Sequence, residues 1–303
     1  MSDSNQPIIL VTGASGQVGF ELVRTLQGLG TVIAPRRDAL DLADARSIEA
    51  ALDEIRPALI VNPGAYTAVD QAESDVDTAM RVNAHAPGVL AAAAHAMGVP
   101  LIHYSTDYVF DGTKQGAYEE DDAPGPLNVY GASKLAGERA IEQAGAAHLI
   151  LRTSWVYGAR GRNFMKTMLR LGEERDELRI VDDQRGAPTW SRTIATLTAH
   201  IVAQAMAVAP EARAQWWFAR SGTYHLSASG EASWAEFARA IFELASPEKA
   251  PKVVPISASE YPTPARRPAN SRLSNAKLAA AFGIRPPHWR DALSLCLQDR
   301  QAW

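Results

Sequence analysis

Short apolar runs recur through the first half of the chain, and each is followed by a longer stretch with apolar residues every three or four positions. PIILV (7–11), TVIAP (31–35), ALIVN (58–62), PLIHYS (100–105) and HLILRTS (148–154) read as strands buried on both faces. Between them, GQVGFELVRTLQGLG, ARSIEAALDEIR (45–56), the alanine-rich segment 78–97 and a stretch beginning near Asn128 carry helical spacing. Buried strands alternating with helices predict an α/β architecture, a doubly wound parallel sheet with right-handed crossovers.

After about residue 155 the rhythm weakens. Helical patterns persist at 163–174, 191–207, 233–245 and 287–300, separated by turn-rich pieces such as DDQRGAPTW and SASEYPTPARRPANSRL. The pattern predicts a main domain over 1–154 and a smaller C-terminal lobe over 155–303, with 191–227 a segment that can return to the first domain.

Composition narrows the partners. A net charge of −4 gives no general attraction to nucleic acid or to an anionic membrane, so neither is expected as a partner. No run of about 18 apolar residues predicts a membrane span, and MSDSNQPIILVTGAS lacks the pattern of a secretory signal. The single cysteine, Cys296, excludes an internal disulfide and is expected buried in the last helix; a cytoplasmic protein is the expectation. The seven histidines form no His-x-x-x-His or Cys/His array, so no metal site is predicted.

VTGASGQVG (11–19) joins the first strand to the first helix with Gly13, Gly16 and Gly19 at three-residue spacing. Glycines there permit a tight turn and close approach of a pyrophosphate, which the helix N-terminus then holds with free N–H groups. The spacing is weak by itself. At the end of a first strand it predicts a Rossmann-type dinucleotide site in the main domain. The second strand ends in Pro35-Arg36-Arg37, where arginine accommodates a ribose 2′-phosphate, so NADPH is the expected cofactor, with NADH a secondary donor.

NVYGASKLAGE (128–138) sets Tyr130 and Lys134 on one helix face. An ammonium beside a phenol favours phenolate, and the expectation is a lowered Tyr130 pKa that eases proton exchange with an oxygen. HYSTDYVFDG (103–112) supplies Ser105 and Thr106 at the end of the fourth strand, where a hydroxyl can polarise the same carbonyl.

Together these pieces resemble the extended short-chain dehydrogenase/reductase family. VNPGAYTAVDQAE, RTSWVYG, NFMKTMLRL, DQRGAPT and YPTPARRPANSRL resemble more closely its dTDP-4-dehydrorhamnose reductase branch, over essentially the whole chain. The resemblance implies a catalytic triad of Thr106, Tyr130 and Lys134. It places Gly16, Gln17, Val18, Asp41, Leu42, Ala65, Tyr66, Thr67 and Tyr104 against the cofactor and Trp155 beside the sugar. It also makes Arg266, Arg267 and Arg272 candidates for gripping a diphosphate. The implied reaction is reduction at C4 of a nucleotide sugar, dTDP-4-dehydro-β-L-rhamnose, by NADPH, and a homodimer is compatible with it. Two departures stand out: Pro63-Gly64 replaces small alanines, and Arg192 replaces a carboxylate used by some members for a magnesium-linked dimer, so no metal role carries over.

Two alternatives remain open at this point. One is another nucleotide-sugar reductase, dehydratase or epimerase, although Asp107-Tyr108 lacks the Asp-Glu pair of a dehydratase. The other is a non-catalytic regulatory subunit retaining the fold.

Overall fold

The computed structural model describes residues 6–245 and 250–301. The first half runs β1 (Ile8–Val11), α1 (Gln17–Thr25), β2 (Thr31–Ile33), α2 (Ala45–Ile55), β3 (Leu59–Asn62), α3 (Val69–Ala72), α4 (Val76–Met80), α5 (Ala86–Met97), β4 (Leu101–Thr106), α6 (Val129–Ala144) and β5 (His148–Thr153). The second half runs β6 (Val156–Tyr157), α7 (Phe164–Glu174), β7 (Glu177–Val181), β8 (Arg185–Gly186), β9 (Thr189–Trp190), α8 (Ser191–Ala207), α9 (Pro210–Phe218), β10 (Gly222–His225), β11 (Ala232–Ser233), α10 (Trp234–Ala245), β12 (Lys252–Ile256), α11 (Ala276–Phe282) and α12 (Trp289–Gln301).

Six strands form one sheet in the order β2-β1-β3-β4-β5-β10, every neighbouring pair parallel. The chain leaves β1 to one side for β2 and then crosses to the other side for β3. A crevice therefore opens at the carboxyl ends of β1 and β3, the switch point at which such sheets take ligands.

The continuous apolar runs resolve into two alternating faces. Ile9 and Val11 of β1, Leu59 and Val61 of β3, and Leu149 and Leu151 of β5 pack with Leu22 and Leu26 at α1 and with Ile194, Ile201 and Val202 of α8. Leu10, Ile60 and Ile150 point the other way, onto Ile48 and Leu52 of α2, Leu90 and Ala94 of α5 and Ile141 of α6. Covering both faces is what demands apolar residues at every strand position.

A second core gathers Tyr157, Met165 and Met168, Trp190, Phe237 and Ile241, and Trp289 and Leu293. It is edged by three two-stranded pairings, β7 with β12, β8 with β11 and β6 with β9. Cys296 is fully buried there, and burial pushes its thiol pKa up to about 12.

The alanine-rich segment is not one regular helix. α4 and α5 are joined by a π-helical turn, Arg81–His85, which widens the helix by one residue per turn at Asn83. α9 escapes the periodicity because Trp216, Trp217 and Phe218 are consecutive rather than spaced along one face.

Candidate active site

β1 runs directly into the glycine loop. Gly13 has φ +55°, and a Cβ there would lie 2.6 Å from the Gly64 Cα; a Cβ on Gly19 would lie 2.3 Å from the Gly13 carbonyl oxygen. Pro63-Gly64 is part of this fit, since a Cβ on Gly64 would meet Leu42 Cδ1 at 2.4 Å. The loop thus packs as bare backbone. Gly16 caps α1 without a side-chain hydrogen bond, which leaves the first N–H groups of that helix for an anion. Gln17 faces Asn163, whose amide donates to its Oε1 at 2.9 Å, and Val18 packs on the first core.

At the end of β2 the two arginines differ. Arg37 lies 3.4 Å from Asp41, while Arg36 is exposed and forms no ion pair among the described residues. Asp41 also accepts from the Ala43 N–H at 2.9 Å. Ala65, Tyr66 and Thr67 follow β3 at its carboxyl end, and Tyr66 is fixed at both ends. Its N–H donates to Asn83 Oδ1 at 2.8 Å, and its hydroxyl donates to Asp75 at 3.1 Å.

Asn83 is a residue that pattern reading missed. From the π-helical turn it also donates to the Tyr66 carbonyl at 3.0 Å and to Ser133 Oγ at 3.0 Å. It joins the loop after β3 to α6. The interruption in helical spacing at 81–85 was the only signal for it.

α6 begins at Asn128, whose side chain accepts from the Gly131 N–H at 2.8 Å. Tyr130 and Lys134 sit one turn apart, Lys134 fully enclosed and Tyr130 open on one side. Thr106 ends β4, and its hydroxyl lies near enough to the Tyr130 phenol to favour the phenolate. The same hydroxyl donates to Asp107 Oδ1 at 3.1 Å and accepts from the Tyr108 N–H at 3.2 Å. The Ser105 hydroxyl is buried with no hydrogen-bond partner among the described residues. Tyr104 enters through its carbonyl, which accepts from Lys134 Nζ at 2.6 Å; its ring is buried in the first core and its hydroxyl meets Thr198 at 2.7 Å.

The expected acidic phenol is not found. Burial raises the Tyr130 pKa to about 12, partly offset by the Thr106 hydrogen bond and reinforced by the Asp107 charge; the ammonium is not among the groups that move it. Lys134 is engaged elsewhere, by the Tyr104 carbonyl and by His103 Nε2 at 3.1 Å. Burial lowers its own pKa to about 8, with Glu138 opposing. Asp107 is likewise pushed up by burial, to about 6.

On the same carboxyl edge, after β5, Trp155 holds φ +47°, a strained value for an aromatic residue. It stacks on Trp234 at 3.6 Å between ring centroids, and Gly186 leaves room for its indole.

The three loop arginines have separate fates. Arg267 makes a two-pronged ion pair with Asp70, at 3.0 and 2.7 Å. Arg272 bonds Glu231 at 2.9 Å and Asn270 Oδ1 at 2.8 Å. Arg266 is exposed, and its carbonyl accepts from the Asn128 amide at 2.8 Å, which seats the loop on the start of α6. As a cluster of three available cations the expectation fails, because two are already neutralised by carboxylates. Of the three, Arg266 alone has a side chain with no ion pair to a described residue. Arg192 pairs with Asp299, and no group of three His, Cys, Asp or Glu able to hold a metal occurs among the described residues.

Residues 7–302 match the family model described as the RmlD substrate binding domain. A dTDP-4-dehydrorhamnose reductase of Burkholderia thailandensis is 51% identical, over 96% of this chain and 98% of its own length. The enzyme of that name from Escherichia coli K12 is 43% identical, over 96% and 97%. Among solved structures, a dTDP-4-dehydrorhamnose reductase of Bacillus anthracis in complex with NADP superposes with a TM-score of 0.88 at 34% identity, covering 97% of this chain and 99% of that one. The match runs through the glycine loop, the α6 pair and the arginine loop alike: this chain belongs to the RmlD substrate binding domain family.

Proposed function

We propose that this protein reduces the C4 ketone of dTDP-4-dehydro-β-L-rhamnose to dTDP-β-L-rhamnose with NADPH, a step of dTDP-rhamnose biosynthesis in the cytoplasm. The observation that carries the reading is the placement of Thr106 next to Tyr130 at the carboxyl edge of the sheet, beside a glycine loop in which backbone packs directly on backbone. The relatives carry that reaction in their names, and one was solved with NADP.

The residues present fit the cofactor. The uncapped start of α1 and the bare Gly13–Gly64 contact suit a pyrophosphate, and Arg36 suits a 2′-phosphate. When bound, NADPH supplies a hydride to C4. Tyr130 keeps its proton at neutral pH and gives it to the C4 oxygen, which as an alkoxide is the stronger base. Thr106 donates a hydrogen bond to Asp107, which fixes its hydroxyl next to the phenol and leaves the Tyr130 proton free for the C4 oxygen. Lys134 adds a positive charge below the reacting groups, where low dielectric strengthens its effect on a developing oxyanion. Arg266 is the cation left to meet the diphosphate, and Trp155 gives the sugar a flat wall.

The test is steady oxidation of NADPH on adding the 4-keto sugar nucleotide, with dTDP-rhamnose recovered as product. Enzyme that holds its nicotinamide and only isomerises the sugar would defeat the reading in favour of an epimerase. Failure to turn over any 4-keto nucleotide sugar would leave a regulatory subunit.

A further inference from the structure

Beneath the site a polar chain crosses the sheet from strand to strand. Thr12, where β1 meets the glycine loop, holds its hydroxyl 2.5 Å from Asn62 Oδ1 at the end of β3. Asn62 Nδ2 lies 3.0 Å from His103 Nδ1 on β4, and His103 Nε2 lies 3.1 Å from Lys134 Nζ on α6. Thr12 Oγ1 also accepts from the Gly64 N–H at 3.3 Å, so the far end of the chain rests against the glycine loop. Asn62 and His103 have no exposed surface, and Thr12 and Lys134 have almost none.

We propose that His103 is a positioning residue for Lys134, and that Asn62 and Thr12 extend its hold to the glycine loop, the whole chain reversing its hydrogen-bond direction when Lys134 changes charge. This rests on the reductase reading of Lys134.

The argument follows from donor counting. An ammonium has only donors, whereas a neutral imidazole has one donor and one acceptor nitrogen. Burial and the Lys134 charge hold the His103 pKa well below the usual range, so the ring stays neutral. While Lys134 is charged, Nε2 must accept from it and Nδ1 must carry the proton. Asn62 must then meet Nδ1–H with its carbonyl oxygen, and its amide nitrogen donates to Thr12. Once Lys134 is neutral, Nε2–H donates to the amine, Nδ1 accepts from Asn62 Nδ2, and Thr12 donates to Asn62 Oδ1. The amide stands in this second orientation; the first needs half a turn of a group whose two ends are nearly the same size. An unpaired donor at 0% exposure is costly, so the members change together rather than singly.

The other charged or titratable groups around Lys134 are few. Glu138 lies one turn on along α6 and is tied to Arg152 of β5 at 2.7 Å, and Tyr130 lies one turn before. With Lys134 lowered to about 8, the reversal falls within a working pH range.

The decisive measurement uses the unmodified full chain with ¹⁵N-labelled histidine, the His103 ring signals being assigned by their loss in His103→Gln. The expected result is the Nδ1–H tautomer near about pH 6.5 and the Nε2–H tautomer near about pH 9.5. One tautomer at both pH values overturns the proposal. Kinetics give a second reading. His103→Leu should lower kcat about tenfold and move its alkaline limb to lower pH by about one unit, while His103→Gln, whose amide oxygen can accept from Lys134, moves the limb back. A limb at the wild-type pH in His103→Leu also overturns it. If His103→Leu does not fold, the tautomer measurement decides alone. That measurement needs no turnover, so loss of the reductase reading and loss of this proposal are told apart.

Discussion

At Tyr130 burial and the Asp107 charge both disfavour phenolate, and the Thr106 hydrogen bond only partly opposes them. A proton held that firmly is well placed for delivery to an alkoxide. Tyr130→Phe should therefore cut kcat by about a hundredfold or more while leaving NADPH affinity nearly unchanged, measured by nicotinamide absorbance and by titration. Asp107 poses the opposite balance. Its folded pKa of about 6 exceeds the ordinary 3.8, so the stability it contributes is full below the lower value and is lost as pH rises through the higher one. At pH 7 that loss is on the order of 3 kcal/mol. Asp107→Asn should raise the unfolding temperature at pH 7, an effect that vanishes near pH 4, and yet lower kcat because Thr106 is no longer held by a carboxylate. Of these residues, Tyr130 and Lys134 stood out by their spacing in the context of the fourth strand, and Thr106 was singled out from Ser105 only by the family resemblance. Asn62, His103 and Asp70 were not, because their roles depend on the register of β1, β3 and β4 or on a loop almost 200 residues away, which no local pattern records.

Helix α6 explains the small residues that follow its tyrosine and lysine. A Cβ on Gly131 would lie 2.2 Å from the Tyr108 carbonyl oxygen, and one on Gly137 would lie 2.1 Å from that of Asn83. The helix touches backbone on two sides, and so Tyr130 is held close to Thr106. Gly131→Ala must push α6 away from β4; the expected cost is about 2 kcal/mol of stability with a clear fall in kcat. Unfolding in urea alongside steady-state kinetics checks it, and a variant as stable and active as the parent would contradict the contact. The sequence displayed the glycines but not what they approach, since the partners come from the β4 exit and the π-helical turn.

Across the molecule, two cores meet at the carboxyl edge of one parallel sheet, and the loop around residues 264–273 ties them. It is anchored by Arg267 to Asp70 of α3, by Arg266 to Asn128 of α6, and by Arg272 to Glu231 beside β11. Asp70→Ala should free the Arg267 end of this loop and raise KM for the nucleotide sugar about tenfold with less change in kcat, since the cost is one of ordering rather than of chemistry. The sheet was readable because strands buried on both faces leave unbroken apolar runs. The second half was less so: its two-residue strands β6, β8, β9 and β11 are too short for any period to show, and β10 begins with a glycine. No helix among the described residues is long and apolar enough to cross a membrane.

The stacked indoles of Trp155 and Trp234 have an optical consequence. Reduced nicotinamide absorbs where tryptophan emits, so the site proposed above carries a dye-free readout of cofactor entry. Ultraviolet-excited emission should dim as NADPH is added, and replacing Trp155 by Phe should take away a larger share of that dimming than one indole in seven would.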